Sequence, residues 1–330
     1  MTMNSFSHYD TTILSMGALF LGIIMLIRGG GWAIDSSVYV ASRFGISPMV
    51  IGFTIIAFGT SLPEMIVSLF ANIQGSPGIA IGNVLGSNIS NILMVAGVSS
   101  IFITLKVNVT KMLVRDLLFM MFATILLMVL LYYGTISSLM GFVMVVILLG
   151  YIFLQYMTTK SDDFEAKEIP DTAFKSDKYA YVTLLFGLMS IAIGAEFLVK
   201  GAKVSASLLG VPESVIALSV IAFGTSLPEL STSIIASRKG QFDMVIGNIV
   251  GSNVFNILMI IGFSSLIKPI MQSSLSPQIL DFDIWVTLLV GLSFLLVLFI
   301  FGRINRIIGS VFFLSYIAYN TYIYAVNIGV

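Results

Sequence analysis

Ten long apolar runs constrain the fold of this 330-residue chain more than any other feature of its sequence. A bilayer core about 30 Å thick needs about 20 apolar residues in one helix. Spanning segments must also satisfy their own backbone hydrogen bonds, because lipid offers none. The sequence therefore predicts an all-α integral membrane protein with ten transmembrane helices, of which the second and the seventh are interrupted. The predicted spans are residues 13–29, 46–73, 78–104, 114–133, 137–157, 180–200, 211–237, 242–267, 283–301 and 305–327.

The composition supports a membrane setting and excludes several kinds of function. Hydrophobic residues make up 58% of the chain and charged residues only 10%, whereas soluble domains carry about 25% charged residues. A formal net charge of zero excludes nucleic-acid binding by overall charge, and no obligate protein partner is evident. The chain has no cysteine, and its single histidine, His8, precedes the first apolar run. Thiolate chemistry and histidine sites inside the membrane are therefore excluded.

The basic residues indicate how the predicted helices are oriented. Thirteen Lys and Arg residues follow odd-numbered spans, whereas three, Lys200, Lys203 and Lys268, lie on the other side. Because cytoplasmic loops carry the excess of basic residues, we expect a multi-pass protein of the cytoplasmic or inner membrane with both termini outside the cytoplasm. The polar stretch 158–179 is then a cytoplasmic linker. A regulatory cation sensor is the alternative, although its spacing matches no calcium-binding loop.

The chain is internally duplicated with an offset of 165 residues. IAFGTSLPE occurs at 56–64 and again at 221–229, and the segments 81–94 and 246–259 agree at ten of fourteen positions. This predicts a first five-helix repeat at 1–157, the linker 158–179 and a second five-helix repeat at 180–330. Because five is odd, the second repeat must enter the membrane from the opposite side. Inverted-topology repeats are typical of secondary transporters, whose substrate sites lie between the two halves.

Two acidic residues stand in the middle of predicted spans. Glu64 and Glu229 are equivalent in the two repeats, whereas the other acids, Asp116 and Asp283 among them, are expected at span ends, in loops or in the tail. A carboxylate in hydrocarbon costs at least about 2.5–3.5 kcal/mol, and no Lys or Arg lies at that depth to offset it. We therefore expect Glu64 and Glu229 either to be protonated or to bind cations. A purely structural role is the less favoured alternative.

Oxygen-bearing residues accompany both glutamates with the same spacing. Residues at i, i+3, i+4 and i+7 share one face of a helix. Pro63 cannot donate a hydrogen bond to the carbonyl of Gly59, so we expect the backbone to bend there and carbonyls near Ala57 to be free for a ligand. The residues of this face are Ala57, Thr60, Ser61 and Glu64 in the first copy, and Ala222, Thr225, Ser226 and Glu229 in the second.

A second polar pair follows each copy. Ser87 and Asn91 are spaced i, i+4, and Ser252 and Asn256 repeat the pair. The candidate ligand atoms of both motifs are all oxygens, and Ca²⁺ takes about 6–8 oxygen ligands in flexible geometry. Mg²⁺ requires stricter geometry, and soft metals prefer the Cys or His that this chain lacks. The sequence therefore predicts a Ca²⁺ site with no resident cofactor.

The duplicated GTSLPE and GNxxGSN motifs resemble the alpha repeats of the calcium/cation antiporter superfamily, and they are most similar to those of the prokaryotic sodium/calcium exchangers. The resemblance covers both halves. It implies two inverted five-helix halves, broken helices 2 and 7 packed against helices 3 and 8, and alternating access by sliding of helices 1 and 6. The ligand positions that it implies are Ala57, Thr60, Ser61, Glu64, Ser87, Asn91, Ala222, Thr225, Ser226, Glu229 and Ser252.

One position departs from the pattern of this family. Sodium/calcium exchangers usually carry an aspartate where this chain has Asn256. Proton/calcium exchangers resemble this chain in having asparagine there, but their motif is of the GNAxE type. The coupling ion is thus less firmly implied than Ca²⁺ itself.

The leading interpretation is a sodium/calcium antiporter whose partners are Ca²⁺, Na⁺ and the lipid bilayer. A proton/calcium exchanger or a potassium-dependent sodium/calcium exchanger is the alternative. A cation channel is less favoured, because the duplicated sites lie in one chain in opposite orientations. An enzyme is the weakest interpretation, because no His, Cys or acid pair accompanies a strong nucleophile.

Overall fold

The computed structural model describes residues 8–159, 176–208 and 224–328. Its architecture is all-helical. Within these ranges eight helices are long and apolar enough to cross a membrane, or nine when one bent pair is counted as a single span. The first group of helices is α1 (His8–Phe44), α2 (Pro48–Thr60), α3 (Leu62–Ile73), α4 (Pro77–Phe102), α5 (Lys111–Tyr133) and α6 (Ser138–Thr159). The second group is α7 (Asp177–Leu208), α8 (Leu227–Arg238), α9 (Phe242–Ile267), α10 (Ile279–Phe301) and α11 (Arg306–Ile328).

The predicted interruption of the second span is confirmed. α2 and α3 are separated only by Ser61, and the two helices are bent by 48°. Pro63 lies in the first turn of α3, where its missing N–H leaves the Gly59 carbonyl without its helical donor. The seventh predicted span is described only in its second part, as α8, so its break stays a prediction. Likewise, most of the predicted linker lies outside the described residues.

The first helix is longer than the sequence predicts. The predicted run ends at residue 29, whereas α1 continues to Phe44. The added part is amphipathic: Ala33, Ile34, Ser36 and Ala41 are buried, while Asp35 is exposed and pairs with Lys239 at 2.5 Å. Hydropathy alone underestimates such a segment, because serines are among its buried residues and a charged residue is among its exposed ones.

The two parts of the chain have matching elements. α3 and α8 begin and end 165 residues apart, and wider π-helical turns occur at Asn91–Ala96 in α4 and Asn256–Ile261 in α9. The short strands pair reciprocally, β1 (Leu105–Lys106) with β4 (Arg303–Ile304) and β2 (Thr135–Ile136) with β3 (Ile270–Met271). The duplication seen in the sequence is therefore visible in the secondary structure.

Glycines set the closest helix contacts. A Cβ added at Gly247 or Gly251 of α9 would lie 2.2 Å from a backbone oxygen of α2, that of Met49 or Phe53. A Cβ at Gly22 of α1 would likewise lie 2.7 Å from the carbonyl oxygen of Gly194 in α7. Only glycine permits such an approach. As a result α2 packs directly against α9, whose apolar window is entirely buried.

Candidate cation-binding site

The bend between α2 and α3 places Glu64 in the first turn of α3, and Glu229 occupies the same place in α8. The N-terminus of a helix carries a partial positive charge that favours a carboxylate. The preceding helix α2 ends at Thr60, and its C-terminal carbonyls carry partial negative charge. The break therefore gathers carboxylate, hydroxyl and carbonyl oxygens at one place in the fold.

The two glutamates are buried without a counter-charge. Each is 1% exposed, and neither carboxylate has a hydrogen-bond partner within 3.5 Å among the described residues. They lie close enough for their like charges to repel each other. The hydroxyls of Thr60 and Ser61 lie near the Glu229 carboxylate, so residues of the first motif contact the acid of the second. The predicted site thus combines residues from both repeats.

The site contains an unusual number of unpartnered oxygens. Buried polar groups in native proteins are almost always hydrogen-bonded. Here nine side-chain oxygens of the predicted residues are buried and have no partner in the described part of the chain. They are Ser61 Oγ, Glu64 Oε1 and Oε2, Asn91 Oδ1, Ser226 Oγ, Glu229 Oε1 and Oε2, Ser252 Oγ and Asn256 Oδ1.

The asparagines use their nitrogens and leave their oxygens free. Asn91 Nδ2 donates to Asn253 Oδ1 at 3.2 Å, and Asn256 Nδ2 donates to Asn88 Oδ1 at 3.0 Å. All four side chains are at most 2% exposed. An amide with its donor end held in this way offers its acceptor end to a ligand. Asn88 and Asn253 were not predicted as site residues, and the signal that could have found them is their own 165-residue spacing.

The remaining predicted residues are placed as follows. Thr60 donates weakly to the Ala57 carbonyl at 3.4 Å and to Asn248 Oδ1 at 3.5 Å. Ser87 is buried in α4, and Thr225 is half-buried just before α8. Ala222 lies outside the described residues.

The expectation of a free carbonyl at Ala57 is wrong. This oxygen accepts the Ser61 N–H at 3.0 Å as well as the Thr60 hydroxyl. The cause is that Ser61 itself retains its helical hydrogen bond, and the proline removes the donor only at Gly59. Because a carbonyl oxygen has two lone pairs, Ala57 stays a candidate ligand, although it is not bare.

Two of the acids expected at span ends lie near the starts of α5 and α10, as predicted, but they are buried there. Asp116 is fully buried and Asp283 is 5% exposed. Asp116 accepts hydrogen bonds from Tyr151 and Arg115, and Asp283 accepts one from Tyr319 at 3.0 Å. Burial at a helix end is tolerated because a tyrosine on the following helix donates a hydrogen bond to one oxygen of each carboxylate. Glu64 and Glu229 differ in having no such partner in the described structure.

The polar site is not a cluster of conventional metal ligands. Among the described residues no group of three or more His, Cys, Asp or Glu could hold a metal ion. Two carboxylates and several neutral oxygens are what the geometry provides. Such a set suits a hard cation that accepts carbonyl, amide and hydroxyl oxygens.

A groove of about 670 Å³ opens between α1, the end of α4 and α8. Its walls are mainly apolar, and it extends from Leu227, two residues before Glu229, to Arg238 at the end of α8. The hydroxyls of Ser99 and Ser237 line it and have no hydrogen-bond partner in the described ranges. The groove therefore runs beside the helix that carries Glu229.

In the other half, hydrogen bonds join the equivalent helix ends. Asn72 of α3 donates to the carbonyls of Ser264 and Lys268, each at 2.8 Å, and Lys268 Nζ approaches the Ile73 carbonyl at 3.4 Å. Asn72 is the counterpart of Ser237, and Ser264 is the counterpart of Ser99. Equivalent positions thus touch in one half and face an open groove in the other.

Comparisons with known proteins agree with this architecture. The sodium/calcium exchanger protein family matches residues 14–157 and 179–325. An uncharacterized membrane protein of Methanocaldococcus jannaschii is 35% identical over 308 residues, which cover 92% of this chain and 96% of that protein. The sodium/calcium exchanger MaX1 of Methanosarcina acetivorans is 30% identical over 342 residues, covering 91% and 96%. The structure of the sodium-calcium exchanger NCX_Mj soaked with Na⁺ and Sr²⁺ superimposes with a TM-score of 0.80, at 32% identity, over 93% of this chain and 97% of that one.

Proposed function

Because the chain belongs to the sodium/calcium exchanger protein family, we propose that it is a secondary active antiporter that exchanges Ca²⁺ for Na⁺. The two ions occupy one central site in turn. The ligands are the twelve residues predicted from the sequence: Ala57, Thr60, Ser61, Glu64, Ser87, Asn91, Ala222, Thr225, Ser226, Glu229, Ser252 and Asn256.

The observation that carries this proposal is the set of nine buried oxygens without a partner. Leaving one buried polar group unpaired costs about 1–3 kcal/mol, and more for a charged group. A fold that buries nine of them together is explained when a cation supplies the missing interactions. The two carboxylates balance the charge of one Ca²⁺, and the neutral oxygens complete a coordination shell of about 6–8 ligands.

The proposed mechanism is alternating access. The inverted arrangement of two five-helix repeats puts the groove beside α8 and the closed contact at Asn72 on opposite faces of the membrane. One route is open and the other is shut by hydrogen bonds, as a carrier requires at any moment. Movement of α1 and α7 as a pair would exchange the two routes, and their glycine-mediated contact supports a common motion.

The proposed topology follows the distribution of basic residues. Ten helices divide into the repeats 1–157 and 180–330, joined by a cytoplasmic linker at 158–179. The groove ends at Arg238, on the basic and therefore cytoplasmic side, so the described conformation is open to the cytoplasm. The protein is placed in the cytoplasmic or inner membrane with both termini outside the cytoplasm.

A second candidate for the coupling ion is the proton, with potassium-dependent sodium exchange as a further variant. The proton is favoured by one observation, the neutral Asn256 in place of the usual aspartate. The unpartnered carboxylates offer two places where a proton could replace a metal ion. The GTSLPE copies favour sodium, which is why sodium is the primary proposal.

The deciding experiment is Ca²⁺ uptake into proteoliposomes under one ion gradient at a time. We expect uptake that requires an opposing Na⁺ gradient and that persists when pH is equal on both sides. Uptake driven by a pH gradient without Na⁺ would establish proton coupling instead. Passive Ca²⁺ flux that needs neither gradient would refute the antiporter and favour a channel.

A further inference from the structure

Four buried asparagines meet where α4 contacts α9. Asn91 and Asn256 are predicted ligands, while Asn88 and Asn253 precede them by three residues in each repeat. The contacts are crosswise: Asn91 donates to the side chain of Asn253, and Asn256 donates to the side chain of Asn88. Each predicted ligand is therefore held by a residue of the other repeat.

Each holding residue is itself fixed in orientation. Asn88 Nδ2 donates to the backbone carbonyl of Asn253 at 3.2 Å, which turns Asn88 Oδ1 toward Asn256. Asn253 Nδ2 faces the Met120 sulfur at 3.5 Å, which turns Asn253 Oδ1 toward Asn91. Since an amide has one donor end and one acceptor end, fixing the first asparagine of each pair fixes the second.

These hydrogen bonds set the orientation of the two amide oxygens that have no partner. Asn91 Oδ1 and Asn256 Oδ1 are buried and unpartnered in the described structure, and both lie one turn after a predicted serine ligand. A rotation of either amide by half a turn would present an NH₂ group, which repels a cation. We propose that Asn88 and Asn253 are positioning residues that keep the carbonyl ends of Asn256 and Asn91 turned toward the bound Ca²⁺.

The inference rests on the proposed function, since it assumes that an ion occupies the site. It differs from a packing role in the pattern of partners. Residues that only filled space between two helices would satisfy one another completely. Here the donors are satisfied and the two acceptors are left over at equivalent positions, which is the arrangement of a ligand pair and its support.

The test is a set of double-mutant cycles on the purified full-length protein, with Ca²⁺ affinity measured by titration in detergent. Asn88→Ala and Asn253→Ala should each weaken Ca²⁺ binding about tenfold, the lower end of the effect of losing a group that orients a metal ligand. Asn88→Ala should add nothing to Asn256→Ala, and Asn253→Ala should add nothing to Asn91→Ala. Asn88 and Asn91 do not bond to each other, nor do Asn253 and Asn256. In these non-bonded pairs the two losses of affinity should be independent and should therefore multiply.

Ser90→Ala is the matched control. Ser90 is as buried as Asn88 on the same helix but directs its hydroxyl toward Met94, so its loss should leave the affinity unchanged. If an alanine variant does not fold, serine at the same position, which is too short to reach its partner, replaces it in the cycle.

The outcomes separate the two proposals. Suppose that the wild type binds Ca²⁺ and that Glu64→Gln abolishes this binding. If the losses of affinity then multiply in the hydrogen-bonded pairs as they do in the non-bonded pairs, the positioning role is refuted and the proposed function stands. If the wild type binds no Ca²⁺, the proposed function and this inference fall together.

Discussion

Replacing either buried glutamate by glutamine tests the cation site most directly. Glu64→Gln and Glu229→Gln each keep the shape of the side chain and remove one negative charge. With Ca²⁺ bound, the wild-type site is neutral, because two carboxylates face a divalent ion. In either variant the occupied site would carry one uncompensated positive charge at membrane depth. The other two buried carboxylates in the described part of the chain, Asp116 and Asp283, already accept hydrogen bonds from tyrosines.

The size of the effect follows from that charge. An uncompensated charge at the centre of a bilayer costs at least about 2.5–3.5 kcal/mol. At about 1.4 kcal/mol for each factor of ten in affinity, this predicts Ca²⁺ binding weaker by roughly 100-fold. Flux in proteoliposomes should be abolished at Ca²⁺ concentrations that saturate the wild type. The ion-free variants should be no less stable than the wild type, because each substitution removes a buried carboxylate that has no hydrogen-bond partner in the described structure.

The assay pairs Ca²⁺ titration with thermal unfolding at several Ca²⁺ concentrations. A ligand at 100 times its Kd stabilises the folded state by about 2.7 kcal/mol. In both variants the same Ca²⁺ concentration would be close to Kd, so the gain should fall to about 0.4 kcal/mol. Glu196→Gln is the control, since Glu196 is 60% exposed and pairs with Lys200 on the surface, where such pairs contribute about 0–1 kcal/mol. Near-normal binding or flux in either buried variant would refute the site.

Three further predictions concern the gate, the coupling ion and the packing. Asn72→Ala removes two hydrogen bonds worth about 1 kcal/mol each, so the state open on that side should become about 30-fold more populated. Faster thiol labelling of Met65→Cys in this cysteine-free chain would measure the opening. Unchanged labelling would contradict the gate. Asn256→Asp should keep Na⁺-driven Ca²⁺ uptake near pH 7 but make it more pH-sensitive, because the oxygen of Asn88 faces that position and only a protonated acid can donate to it. Gly251→Ala should destabilise the protein by about 1–3 kcal/mol, because its Cβ would lie 2.2 Å from the Phe53 carbonyl oxygen. A fall in Tm measures the destabilisation. Gly17→Ala is the control, since a Cβ at Gly17 would have no neighbouring described atom within 4 Å.

Sequence patterns predicted the membrane class, the described spans, the break before Pro63 and the family. These features depend on local rules: apolar length, the missing proline donor and exact repetition of motifs. The repeat also identified Glu64 and Glu229, which the structure buries near each other. Their role as ligands stays a prediction.

Features that depend on neighbours from distant helices could not be predicted in this way. Helical spacing places a residue on a face but does not say what lies opposite. Asp116 lies at a span end as predicted, but its burial could not be predicted because its partner Tyr151 is 35 residues away. In the same way, the orientation of Asn256 depends on Asn88, 168 residues away. The contact at Asn72 likewise depends on the carbonyls of Ser264 and Lys268, 192 and 196 residues away.

In the proposed antiporter, the charge of the empty site connects ion binding to obligatory exchange. With both routes shut and no ion present, two carboxylates and their neighbouring oxygens would be buried without water, at a cost of about 1–3 kcal/mol for each neutral group and more for each charge. The empty site therefore favours a conformation in which a groove such as that beside α8 admits water. A bound Ca²⁺, or Na⁺ ions of equal total charge, replaces that water and lets the site close. The protein should then change sides only when loaded, so that one ion moves out as another moves in. Protonation of both glutamates is the one other way to neutralise the site, which is why uptake under separate Na⁺ and pH gradients identifies the coupling ion.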